Sequence, residues 1–162
     1  MPVETKRQVD PRYAPPGAVT SFSDAYPFMM IGQASLDDLN NRLAEKMLVN
    51  RFRPNIVFTG GQPFQEDLME HFVVGDIHFF GVKLCARCNI ITIDQDTAAS
   101  GKEPTKTLAA YRRKGNNILF GQNLVHRGEG TISVGDDLKI ISINHHERFI
   151  INEVATSLNT QV

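Results

Sequence analysis

Leu84-Cys85-Ala86-Arg87-Cys88-Asn89-Ile90-Ile91-Thr92-Ile93-Asp94 holds both cysteines of the chain, with an arginine between them. The β-branched run Ile90-Ile91-Thr92-Ile93 reads as a buried strand over 89–94, which puts the cysteines at its mouth. A fixed positive charge beside a thiol favours the thiolate, a nucleophile and a soft-metal ligand. A structural zinc site needs about four ligands, yet no second CxxC exists and His71 and His78 lack zinc-knuckle spacing. A thioredoxin-like pair opens a helix, whereas this pair opens a strand, where positions three apart face opposite sides. Two readings stay open. Both cysteines are small buried hydrophobes, or one thiolate ligates a soft metal with support from elsewhere in the chain.

The bulk numbers bound the class. A length of 162 residues with 41% hydrophobic and 22% charged content describes one globular domain with a real core. The net charge of −1 creates no field for nucleic acid or a membrane surface, so neither is expected as a partner. No apolar run approaches the roughly 20 residues of a membrane helix. The N-terminus lacks the apolar core of a signal peptide. Two cysteines suit a reducing compartment, and a cytoplasmic protein is expected.

Outward from the cysteines, residues 1–25 form the first expected unit. Pro2, Pro11, Pro15, Pro16 and Pro27 mark this region as an extended arm, because proline fixes φ and removes a donor. Phe28-Met29-Met30-Ile31 reads as a buried strand. Ser35 is then a hydroxyl N-cap, and Leu36, Leu39, Leu43 and Met47 follow at helical spacing over 36–47. Arg51-Phe52-Arg53-Pro54-Asn55 reads as extended, since Pro54 holds Arg53 out of the helical region. Arg51, Arg53 and Asn55 then share one face, either a cradle for phosphate or carboxylate or a solvated strand edge.

Val74-Gly75-Asp76 and Val134-Gly135-Asp136 look like reused corners of a barrel. The polar loop 94–101 lacks the closing glutamate of a calcium site. A short helix begins at Pro104, and Arg112-Arg113-Lys114 at its end complements the macrodipole. Ile118-Leu119-Phe120 is a strand interrupted by Gly121-Gln122-Asn123, where the backbone meets a ligand or bulges. His145-His146-Glu147 diverge on any regular element, and Asn152–Val162 is an unpatterned tail. Strands are expected near 28–31, 55–59, 72–74, 77–83, 89–94, 118–120, 131–133 and 138–143.

Taken in order, five phrases resemble one family: Arg53-Pro54-Asn55, Cys85-x-x-Cys88 through Asp94, Pro104 to Arg112, Leu119-Phe120-Gly121-Gln122, and Val134-Gly135-Asp136. The chain resembles the MOSC domain, the C-terminal module of molybdenum-cofactor sulfurases. Within that family the likeness is to the subgroup of bacterial YcbX-type proteins and the mitochondrial amidoxime-reducing component, over about residues 26–141. The resemblance implies a mainly β fold with a few helices, a MOSC-type mixed β-barrel. It divides the chain into the arm 1–25, the MOSC domain 26–143 and a C-terminal tail 144–162.

The same resemblance implies a site. Cys88 would ligate molybdenum as the catalytic and metal residue, with Cys85 packed away as its structural partner. Arg53 and Asn55 would hold the phosphate of the molybdenum cofactor (molybdopterin), while Arg87, Ala25, Tyr26, Ala86, Gln122 and Asn123 line it. Ala25, Ala86 and Asn123 stand where relatives often carry hydroxyl residues and a tyrosine, which implies fewer contacts. Pyridoxal phosphate belongs to the desulfurase fused to some relatives and is not expected in this domain. The implied activity is reduction of N-hydroxylated compounds with electrons from a separate flavin or iron–sulfur protein. Subgroup members carry an N-terminal barrel domain ahead of this region, so the chain is expected to be part of a larger protein. The alternatives are a persulfide sulfur carrier and a truncated, non-catalytic remnant.

Overall fold

The computed structural model describes residues 7–12, 19–20 and 25–144. His145-His146-Glu147 and the tail from Asn152 lie outside the described residues. Most of the rest is one curled sheet. Its strands are β3 (Phe28–Gly32), β4 (Ile56–Phe58), β5 (Met69–Val74), β6 (Ile77–Ala86), β7 (Arg113–Lys114), β8 (Asn117–Arg127) and β9 (Leu138–Ile143). The order is β4-β3-β8-β6-β5-β9, with β7 folded against β8. Only β3 and β4 run parallel. Among the described residues β4 and β9 do not pair with each other, so the sheet is a half-barrel with two open edges. The mainly β expectation holds. In the arm, β1 (Arg7–Gln8) and β2 (Val19–Thr20) form a short antiparallel pair, and Val9 is buried against Tyr26 and Val125.

The sheet buries both faces, and β3 shows how. Alternation sends Met29 and Ile31 to one side and Met30 to the other. The first side packs with Leu36, Leu39, Phe52, Phe64, Ile91, Leu108 and Phe120 beneath α1 (Gln33–Asn40) and α2 (Thr105–Tyr111). The second fills the trough of the half-barrel with Met69, Phe72, Phe79 and Leu124.

Several expectations are corrected, each by a local interaction that outcompetes the pattern. The run 89–94 is no strand: Asn89–Thr92 is a 3₁₀ turn. Only Ile91 and Thr92 are buried there, and the Thr92 hydroxyl donates to Asn89 O at 2.7 Å, closing the turn against the β propensity of its residues. The cysteines therefore sit at the exit of β6, which runs three residues past its expected end.

The helix expected over 36–47 begins at Gln33 and stops at Asn40. Asn40 instead takes Met47 N and Met47 O through its side-chain amide, at 2.8 and 3.0 Å, and folds 41–47 into a loop. Ser35 lies inside this helix, and its hydroxyl donates to Glu66 rather than capping. Val49–Phe52 is a 3₁₀ turn rather than extended chain. Arg53 follows it in the left-handed region at φ 54°, so Pro54 excludes the helical conformation as expected but not in favour of a strand. Arg51 therefore leaves the face expected for it and pairs with Asp94 at 2.5 Å. Residues 131–133 stay outside the sheet, in a turn closed by Ser133 N donating to Asp136 Oδ2.

β8 continues through Gly121-Gln122-Asn123 for 11 residues. Gly121 sits at φ +83°, and a Cβ there would lie 2.8 Å from Met30 O. The glycine lets β3 and β8 approach at the sheet's centre. Arg112 is fully buried rather than solvated. Its Nη2 donates to Asp67 Oδ2 at 2.6 Å and its Nε to Leu119 O at 2.9 Å, while its guanidinium lies 4.3 Å from the Phe64 ring. Next to Asp67, Glu66 Oε1 accepts from Gly32 N, and its Oε2 accepts from Ser35 Oγ at 2.7 Å. Burial, with smaller opposing and reinforcing contributions, pushes the Glu66 carboxyl up to about 7.

Two outcomes follow. Gly121→Ala should destabilise the domain by roughly 1–3 kcal/mol, read by denaturant unfolding, because both the φ angle and the contact with Met30 O oppose a Cβ. Glu66 holds its proton to higher pH when folded than when unfolded. Its contribution to stability is therefore present at acid pH and lost as pH climbs from about 4.5 through about 7. Glu66→Gln removes that loss, so the stability difference, variant minus wild type, should grow from pH 5 to pH 8. A difference that stays constant over this range would show that Glu66 does not titrate there.

Candidate functional site

A cavity of about 390 Å³ opens where the exit of β6, the start of β3 and the 49–55 turn meet. Its walls include Ala25, Tyr26, Arg53, Asn55, Ala86, Arg87, Cys88 and Asn123, eight of the nine residues expected there. The ninth, Gln122, is elsewhere. It is fully buried and donates from Nε2 to Met69 O at 2.6 Å, in space that the absent side chain of Gly81 leaves open. The sequence reading did not pick out Met29, Phe52, Lys83, Leu84 and Ile90, which also line the cavity. For Lys83 the available signal was its position two residues before Cys85 on one strand.

Each functional side chain is set by its own element. Cys88 follows β6 with an extended backbone (φ −95°, ψ 175°) and is exposed. Cys85 is half-buried, packs beside the core under α1 and α2, and also reaches the cavity wall. β6 carries Cys85 and ends at Ala86, the pairing with β8 is irregular between Leu84 and Ala86, and both cysteines are free thiols. No third histidine, cysteine, aspartate or glutamate joins them as a metal group among the described residues.

Arg87 bridges two walls. Its Nη2 donates to Phe52 O at 2.7 Å, its Nη1 to Cys85 Sγ at 3.2 Å, and its backbone N to Ile118 O. The charge expected to support Cys88 is thus directed at Cys85. Its Nε is buried without a hydrogen-bond partner among the described residues.

Arg53 owes its place to the left-handed turn before Pro54, which swings its side chain out of the core. Its guanidinium is exposed and has no hydrogen-bond or ion-pair partner among the described residues. Asn55 is tied to β3 twice: Asn55 N donates to Met29 O, and Met29 N donates to Asn55 Oδ1 at 2.9 Å. A brace stands behind the turn. Besides the Arg51–Asp94 pair, Gln95 Nε2 donates to Asn50 O at 2.8 Å. Hydrogen bonds from Thr97, with Arg51 nearby, hold the half-buried Asp94 carboxyl below its usual range.

Among the described residues the walls carry Arg53, Arg87 and Lys83 and no carboxylate. Such a site attracts anions, and an accessible thiol stands among its cations. A larger recess of about 750 Å³ lies between the open edges β4 and β9. It is lined by apolar side chains together with Asn55, Thr59, Gln65, Ser133, Asp136 and Asp137, and it offers neither thiol nor guanidinium.

Fold and site together define a mainly β half-barrel domain with an anion-attracting cleft beside a free cysteine. The MOSC domain model matches residues 18–139, and the chain belongs to that family. It is 42% identical over 130 residues to mitochondrial amidoxime-reducing component 1 of Homo sapiens, covering 75% of this chain and 39% of that protein. Against mitochondrial amidoxime reducing component 2 of Bos taurus the identity is 41% over 125 residues, 72% of this chain and 37% of the relative. Against molybdenum cofactor sulfurase of Arabidopsis thaliana it is 39% over 113 residues, 62% of this chain and 14% of the relative. The chain therefore spans less than two fifths of the amidoxime-reducing components it matches.

The unequal exposure of the cysteines is directly measurable. A bulky maleimide added to the native chain should label Cys88 first and Cys85 more slowly. Mass spectrometry of Cys88→Ser should show the fast phase gone, and Cys85→Ser should keep it. A fast phase that survives in Cys88→Ser would reverse the roles.

Proposed function

We propose that this domain binds the molybdenum cofactor in the smaller cavity, with Cys88 as the metal ligand and Arg53 at the phosphate end. The observation that carries the reading is the convergence, on one cavity, of an exposed thiol and a guanidinium that is unengaged among the described residues, with no carboxylate among the described wall residues. The donor set fits the group. A soft metal prefers a thiolate, and a phosphate dianion prefers planar guanidinium forks. The buried, unpartnered Nε of Arg87 is one more donor for an acceptor inside the cleft. The family membership and the sulfurase and amidoxime-reducing relatives support the same reading.

When bound, the cofactor would supply two-electron chemistry that turns an N–OH group into N–H and water, with two protons consumed. The chain's own residues do the holding. Cys88 presents its sulfur at the exit of β6, Arg53 and Asn55 grip the far end, and Arg87 ties the 49–55 turn to β6 so that both grips keep their spacing. Electrons would arrive from a separate flavin or iron–sulfur protein. The remaining length of the relatives' chains, including a barrel domain, would complete the cleft. The arm 1–25, the domain 26–143 and the tail 144–162 remain our division of the chain. Its two free cysteines suit a reducing compartment, the cytoplasm in our reading; among the described residues no helix is long and apolar enough to cross a membrane.

One observation favours a second reading. Both thiols reach the same cavity, and Arg87 would stabilise a sulfur anion at Cys85. A persulfide carrier uses such an arrangement.

Expression in a cofactor-producing host separates the two. Molybdenum and pterin should co-purify near one per chain. Cys88→Ser should lose the metal with an unchanged circular dichroism spectrum, and Arg53→Ala should retain less cofactor. Molybdenum retained by Cys88→Ser would sink the ligand assignment. Cyanide-labile sulfur without metal would establish the carrier, and neither would mark a non-binding remnant.

A further inference from the structure

We infer that Lys83 is a third cationic contact for the anionic end of the group this cavity takes, an assignment that rests on the cofactor reading above. The argument starts from alternation. Ile77, Phe79 and Gly81 on β6 are all buried, so a regular strand would carry Lys83 into the same face. That face is the apolar trough occupied by Phe72 and Leu124. An ammonium there would be costly.

The pairing of β6 with β8 shifts between Gly81 and Lys83, and this irregularity moves Lys83 to the outside. Irregularities of this kind re-aim side chains beside sites. Lys83 ends exposed on the cavity wall, in register with Asn123, another wall residue.

Charge balance supplies the second step. A phosphate monoester carries nearly two negative charges at neutral pH. Arg87 already directs Nη1 to Cys85 and Nη2 to Phe52 O, so part of its donor capacity is committed to the walls themselves. Arg53 supplies one full charge. A compact ammonium on a flexible stem is the natural complement, since it follows the anion without demanding planar geometry. The arm adds a competitor: Asp10 lies within electrostatic reach of Lys83, while Arg12 Nε and Nη2 also donate to the Asp10 carboxylate.

The test is a titration of the full chain with inorganic phosphate at low ionic strength, followed by amide chemical shifts. Lys83→Gln should weaken binding about fivefold, the factor for one unit charge within about 4 Å at water-like screening. Lys83→Arg should restore it, Asp10→Asn should tighten it, and the Lys83→Gln effect should shrink as sodium chloride approaches about 1 M. Weakening by Arg53→Ala without any by Lys83→Gln overturns the Lys83 assignment and leaves the cofactor reading intact. Absence of saturable binding to the wild-type chain also overturns it, and molybdenum content then judges the cofactor reading separately.

Discussion

A guanidinium with no access to water holds this half-barrel to its helices. Arg112 ends α2, grips Asp67, donates to Leu119 O on β8 and lies over the Phe64 ring. One residue away, Glu66 reaches Gly32 and Ser35 at the junction of β3 and α1. Two adjacent carboxylates thus tie together both helices, the central strands and the 64–67 turn. A buried ion pair adds little net stability compared with apolar packing, but breaking one partner leaves an uncompensated charge. Its value lies in specifying one arrangement. The core that contains Phe64 also contains Phe52, Ile91 and, at its margin, Cys85. The cavity walls are the outer surface of that same core, so the polar junction and the site share one scaffold.

Much of the fold was legible in the chain. A continuous apolar run located β3, and alternating or apolar stretches located β4, β5, β6 and β9, each of which packs at least one face against the core; Pro104 located the start of α2. The failures have one form, in which a single side-chain hydrogen bond defeats a pattern. Asn40 stops α1, Thr92 turns the isoleucine run, and Arg112 goes inward because Asp67, 45 residues away in sequence, waits there. Thr92 and Asn89 are three residues apart and Arg112 and Asp67 forty-five, and none of these pairings shows in the apolar pattern. Gly121 misled in the opposite direction, since a glycine that permits close strand approach looks like an interruption.

The site was legible for a different reason. Periodicity alone made Arg51, Arg53 and Asn55 one face, whereas the structure gives Arg51 to Asp94 and Arg53 to the cavity. The ordered family phrases put Arg53, Asn55, Arg87 and Cys88 together, and the cavity contains all four. Gln122 belonged to one of those phrases for its packing. For Lys83 the sequence offered its place two residues before Cys85 and no more, because its exposure on the cavity wall depends on a register shift between β6 and β8 that no single segment encodes.

The strand order also sets a timetable for the chain's birth. β3 lies second from the β4 edge of the sheet and pairs on its other side with β8, so Phe28 must find Leu124 about a hundred residues later. A ribosome adds roughly 5–20 residues each second. For several seconds the apolar strand Phe28-Met29-Met30-Ile31 therefore emerges with its main partner still unmade. β4 alone arrives early, and its short parallel contact covers only one side. The nascent chain is in this sense a customer for whatever shields apolar segments at the tunnel exit, until Gly121 passes and the two central strands close.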